Sequence, residues 1–119
     1  MAAPPLLTPG QALALWHSVM VTSLNRALPD LTARQFALLL HVYQAAPPHT
    51  VRGLAALLNI SKPAVTRALD RLEALEFLRR KTDEADRRSV LVQRTVKGSV
   101  FLREFADLAT EATRTLEGE

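Results

Sequence analysis

The segments Ser61-Lys62-Pro63-Ala64-Val65-Thr66-Arg67 and Asp86-Arg87-Arg88 hold the side chains whose types and spacing point to chemistry. That chemistry is non-covalent. Pro63 and Ala64 are small enough to approach base edges and touch a thymine methyl, while Thr66 and Arg67 reach phosphate or a purine edge. Two arginines on one exposed turn repel each other unless an anion lies near. Asp83, Glu84 and Asp86 supply an internal anion. A narrow minor groove, whose negative potential is enhanced, would supply an external one, with Asp86 holding the inserted arginine in place. Arg71 lies further along the first segment, and Arg79, Arg80 and Lys81 are additional candidates for phosphate contacts or simply solvate their surface.

Covalent chemistry has no comparable footing. The chain lacks cysteine, which excludes disulfides, thiol nucleophiles and zinc-thiolate sites. His17, His41 and His49 fall in different segments without a carboxylate at ligand spacing, so neither a metal nor a resident cofactor is expected. There is no nucleophile and base pair, no phosphate-cradling glycine loop and no pair of carboxylates on a rigid element, and no enzyme activity is expected.

The formal charge is +3, unevenly spread over 119 residues. Residues 51–97 carry Arg52, Lys62, Arg67, Arg71, Arg79, Arg80, Lys81, Arg87, Arg88, Arg94 and Lys97 against Asp70, Glu73, Glu76, Asp83, Glu84 and Asp86, whereas the rest of the chain is slightly acidic. Such asymmetry suits a surface that meets a polyanion, and also an ordinary solvated surface. The length suits one domain over 1–119. The N-terminus lacks the basic start of a signal peptide and the longest apolar run, residues 36–40, is too short to cross a bilayer, so a soluble cytoplasmic protein without a membrane partner is expected.

The elements that must position these residues follow from periodicity and caps. Thr8-Pro9-Gly10-Gln11 starts a helix over 9–28, ended by Pro29. Thr32 with Gln35 has capping-box spacing and opens a second helix running to Gln44. Pro47-Pro48 forces a turn, and His49-Thr50 adds a short extended piece before a helix from Val51 that stops near Asn59. Ser61 caps the next helix, which tolerates Pro63 in its first turn because the missing N–H costs nothing there. Helical spacing puts Val65, Leu69 and Leu72 on an inner face and Pro63, Thr66, Arg67 and Asp70 near the opposite one. Residues 77–82 and 89–94 read as strands around a charged connection. Thr95 caps a last helix over 95–117, whose stripe Phe101, Phe105, Leu108, Ala109, Ala112, Leu116 has little left in its own chain to bury against.

The expected fold is therefore mainly α with a small β-hairpin wing: a winged helix-turn-helix. Its lobe would span 31–94, with helices 9–28 and 95–117 from both termini forming a dimerisation region. A helix in the major groove beside a hairpin in the adjacent minor groove is one coherent footprint on double-stranded DNA.

The run Val51-Arg52-Gly53-Leu54-Ala55, the run from Ile60 to Glu73, then Asp83, Asp86-Arg87-Arg88, Thr95 and Gly98 together resemble the MarR family of bacterial transcriptional regulators. The resemblance implies a homodimeric winged-helix protein on a pseudo-palindromic operator, usually a repressor released by a small ligand. It also implies that Arg88, with Arg87 as backup, enters the minor groove. The DNA-binding residues expected on this basis are Ser61, Lys62, Pro63, Ala64, Thr66, Arg67, Arg71, Arg80, Asp86, Arg87 and Arg88. Trp16, His17, Met20, His41 and Tyr43 are candidates to line a pocket for a small aromatic effector, or else pack in the core and interface.

Three departures from the family pattern stand out. Glu76 replaces a glycine after the recognition helix, at a cost of about 1 kcal/mol if the backbone there is left-handed. Arg94 replaces an apolar residue at the end of the second strand, and is expected to be exposed or paired with an acid. The chain ends near where members of the family begin a last dimerisation helix, so dimerisation is expected to rest on the helices at 9–28 and 95–117, a smaller interface than usual. The rival reading is a winged helix that binds protein without sequence-specific DNA binding, and a third is a small-molecule sensor with secondary DNA binding.

Overall fold

The computed structural model describes residues 3–116. In chain order it contains α1 (Pro9–Asn25), α2 (Ala33–Gln44), α3 (Val51–Leu58), α4 (Lys62–Ala74), β1 (Leu78–Thr82), β2 (Val90–Arg94) and α5 (Val96–Arg114). The chain forms two compact units. One is Leu31–Leu102 and the other combines α1 with α5 from Arg103 onward.

Helix starts follow the capping residues. Thr8 and Thr32 each accept the N–H of a glutamine three residues on, Gln11 and Gln35, whose side chains bond back to the threonine N–H. Thr50 and Ser61 cap α3 and α4 by accepting from Gly53 and Ala64, and Thr95 caps α5 through Gly98 N–H.

The ends of α1, α3 and α4 share one device. Helix α1 ends at Asn25 rather than at 28, because Ala27 turns left-handed at φ 55° and the N–H groups of Ala27 and Leu28 fold back to the carbonyls of Leu24 and Ser23. The same double closure follows α3 through Asn59 at φ 53° and α4 through Glu76 at φ 63°. None of the three is glycine. The first strand consequently starts at Leu78, since Phe77 is still bonded to Leu72 in the closing turn.

In the Leu31–Leu102 unit, α2, α3 and α4 bury Leu38, Leu39, Val42, Leu54, Val65, Leu69 and Leu72. The antiparallel hairpin pairs Leu78 with Arg94, Arg80 with Val92 and Thr82 with Val90, and turns Leu78 and Val92 into this core. Phe101 stacks on Phe77 at 4.4 Å between centroids and lies 6.0 Å from Phe36. In the other unit Val19, Leu108, Ala112 and Leu116 are buried. The apolar stripe of α5 thus finds cover within the chain, against expectation: Phe101 meets the aromatic residues of α2 and the hairpin root, and Leu108, Ala112 and Leu116 are buried in the other unit. Helix α5 ends at Arg114; the expected end at 117 lies outside the described residues.

Tyr43 ties three elements of its unit. Its hydroxyl accepts from Thr95 N–H and lies 2.9 Å from the carbonyls of Phe77 and Thr95. Gly98 packs against the same place, where a Cβ would overlap the Phe77 carbonyl and the Tyr43 hydroxyl. Tyr43 is therefore a structural bolt.

Candidate nucleic-acid interface

Helix α4 divides as an amphipathic helix must. Ala64, Val65, Ala68, Leu69 and Leu72 are buried, and Ser61, Lys62, Pro63, Thr66, Arg67, Asp70 and Arg71 are exposed. Ala64 is corrected by this. It is only 6% exposed, on the inner stripe with Ala68, so its methyl cannot meet a base and the small outward surface reduces to Pro63.

The N-termini of α3 and α4 open with the hairpin onto a cavity of ≈ 560 Å³. Arg52, Lys62, Arg80 and Arg88 line it beside Thr50 and Thr66, with Asp86 as the one acid. The positive ends of the two helix dipoles add to the potential of the cations. Arg52 and Thr50 were absent from the residues expected to bind. Their signal was available: Thr50 caps a helix and Arg52 stands in its first turn, facing the same way as Lys62. A second cavity, of ≈ 410 Å³, sets Arg67 beside Arg34 at the start of α2.

The wing is ordered by its own acids. Asp83 accepts the N–H of Ala85 at 3.0 Å, and Asp86 accepts that of Arg88 at 3.1 Å while meeting its guanidinium at 3.4 Å. The Arg88 side chain remains 93% exposed. It is held at its base and free at its tip. Arg87 is exposed on the same turn.

Arg80 differs from these free cations. Its guanidinium meets Asp70 at 2.7 Å and Glu73 at 3.3 Å, and its backbone N–H donates to Glu73 at 2.9 Å. Hydrogen bonding by the Arg80 side chain, then by its backbone, lowers the Glu73 pKa, and the bonds to Glu73 and then Asp70 raise that of Arg80.

Residues 30–89 match the sequence profile of the MarR family. The chain belongs to the MarR family. Among solved structures it is similar to a transcriptional regulator from Thermotoga maritima, with a TM-score of 0.72 and 25% identity over 88% of this chain and 71% of that one. It is also similar to BpsR of Bordetella bronchiseptica, described with regulation of its DNA binding by 6-hydroxynicotinic acid (TM-score 0.60, 28% identity, 90% of this chain and 80% of that one). MepR of S. aureus, solved as a DNA complex, shares the fold at TM-score 0.67 and 21% identity over 91% of this chain and 80% of that one. No curated protein sequence matches the chain.

The MarR-family fold accommodates both substitutions flagged in the sequence. Glu76 keeps the left-handed turn; its carboxylate pairs with Lys97 at 3.0 Å and its carbonyl accepts from Thr95 Oγ1 at 2.7 Å. Arg94 is exposed, as one of the two expected alternatives has it, and it is bonded to carbonyls and not to an acid. It donates to the carbonyls of Val42 and Ala45, each at 2.8 Å, and its guanidinium lies over the Tyr43 ring. These are carbonyls left open where α2 ends, the place where a cation is favoured.

The effector candidates are divided. Trp16, His17 and Met20 are exposed along α1, so Trp16, at 61%, is not core within this chain. His41 belongs to the other unit. Its ring meets that of buried His49 edge-on at 5.3 Å, although the two stand in different segments of the chain. Among the described residues no group of three or more His, Cys, Asp or Glu could hold a metal ion, and no helix is long and apolar enough to cross a membrane.

Proposed function

We propose that this MarR-family chain is a sequence-specific DNA-binding transcriptional regulator, acting as a homodimer on a two-fold operator. The convergence of two helix N-termini with Arg88 around one cationic cavity carries the reading. Pro63, Thr66 and Arg67 would face the major groove, Lys62, Arg52 and Arg71 the phosphates, and Arg88 the adjacent minor groove with Asp86 steadying it. The S. aureus relative solved with DNA supports the partner. A DNA partner places the protein in the cytoplasm.

Self-association is supported by α1, whose Leu13, Trp16, Met20 and Leu24 recur at helical spacing and are all exposed. Two copies would set their recognition helices about 34 Å apart, one turn of duplex. Repression relieved by a small aromatic acid is the form of regulation we favour, because the DNA binding of the Bordetella relative is regulated by such a molecule. Trp16, His17, Met20 and His41 are the residues to probe for it.

Selection of bound duplexes from a random pool tests partner, symmetry and target together, and an asymmetric consensus would sink the dimer. With the selected duplex, Arg88→Ala is expected to lower affinity and make the salt dependence shallower by about one unit. An unchanged slope removes Arg88 from the interface. The rival reading, a protein-docking winged helix, draws on the exposed Val96 and Val100. It predicts no steep salt dependence with any duplex.

A further inference from the structure

Arg80 stands on β1, while Asp70 and Glu73 stand one turn apart on α4. Three separate donors of Arg80 reach these carboxylates: its backbone N–H, its Nε and a terminal nitrogen. The backbone bond is informative. In the register of the hairpin Arg80 and Val92 form a non-hydrogen-bonded pair, so the Arg80 N–H points away from β2, and there it meets Glu73. Glu73 thereby occupies the place of a third strand on the free edge of β1. The other edge is closed as well, since Val92 N–H donates to the His49 carbonyl at 2.8 Å. Both edges of the wing are tied to the helical body.

A phosphate ligand would be arranged differently. The Arg80 side chain is 27% exposed and already shared between two acids, which together outnumber its charge. We propose that Arg80 is a positioning residue: held by Asp70 and Glu73, it fixes the wing to the recognition helix so that α4 and Arg88 engage one duplex together. This rests on the DNA-binding reading above.

The test uses the full chain, the selected duplex and a scrambled duplex of equal length, titrated over a range of salt. Glu73→Gln removes a negative charge beside the interface, so a purely electrostatic role predicts tighter binding to both duplexes. Positioning predicts that affinity for the selected duplex falls about tenfold, the factor corresponding to one charge-assisted hydrogen bond, while the scrambled duplex binds as well or better. Uniform tightening overturns the proposal. Arg80→Met is expected to lower the ratio of selected to scrambled binding and leave the salt slope in place. A slope shallower by about one unit with an unchanged ratio makes Arg80 a phosphate contact and overturns it too. Arg80→Lys, which keeps the charge without the planar fork, is expected to restore only part of the ratio. Should Glu73→Gln not fold, Asp70→Asn replaces it with the same expectations.

Amide hydrogen exchange without DNA gives an independent arm. Glu73→Gln is expected to speed exchange at the Arg80 N–H and along β1 more than in α2 and α3, with the thermal midpoint lowered only modestly. Unchanged exchange means that nothing is being held, and the proposal fails. If selection with the wild-type protein returns no duplex, the DNA-binding reading fails and the positioning role falls with it, whatever exchange reports.

Discussion

The bonds that Arg80 donates to Glu73 hold the Glu73 carboxyl below its ordinary value of 4.5. A group whose pKa is depressed on folding stabilises the fold fully above its unfolded value, and that contribution is lost as pH falls through the folded one. Unfolding by urea between about pH 3 and 6 is therefore expected to show an acid limb that Glu73→Gln flattens. An identical limb in the variant would mean that Glu73 is not the group titrating. The residue scale also shows where sequence reading stops. Arg88 and Asp86 stand two residues apart in the chain, so their pairing is legible from spacing alone. Arg80 and Arg94 look like Arg88 in the sequence, and only the folded chain brings Glu73 to one and the open carbonyls of α2 to the other.

Elements begin where capping residues stand, and the sequence marks those starts well. It marks the ends less well. Ala27, Asn59 and Glu76 all take the left-handed conformation that closes a helix, but only asparagine advertises it. Ala27 pays for this with a Cβ crowded by its own backbone. Ala27→Gly is accordingly expected to stabilise the protein by about 1 kcal/mol, read as a raised thermal midpoint. A lowered midpoint would show that the turn is not left-handed in solution. Gly98 is the opposite case. Its lack of a side chain lets α5 approach the Phe77 carbonyl and the Tyr43 hydroxyl, so Gly98→Ala is expected to cost about 3 kcal/mol in denaturant unfolding. Alanine is otherwise the better helix former, and a gain in stability would refute the close approach.

For the molecule as a whole, the exposed α1 face makes Trp16 a built-in reporter, since the chain holds one tryptophan. If α1 joins two copies, Trp16 emission moves to shorter wavelength as protein concentration rises, and Leu24→Asp raises the dissociation constant by more than about tenfold. Sedimentation equilibrium checks the same transition. A single species at every concentration, with unshifted emission, would exclude α1 as the interface. The order of helices, the hairpin and the buried stripe of α4 were all determined by the sequence, because caps and apolar periodicity act over a few neighbouring residues. The tertiary structure decided the rest. It buried Ala64, turned Tyr43 from a candidate ligand contact into a bolt, covered the stripe of α5, brought His41 to His49 and added Arg52 to the cationic cavity. Each of these depends on partners far away along the chain, and no local pattern encodes which distant group a side chain will meet.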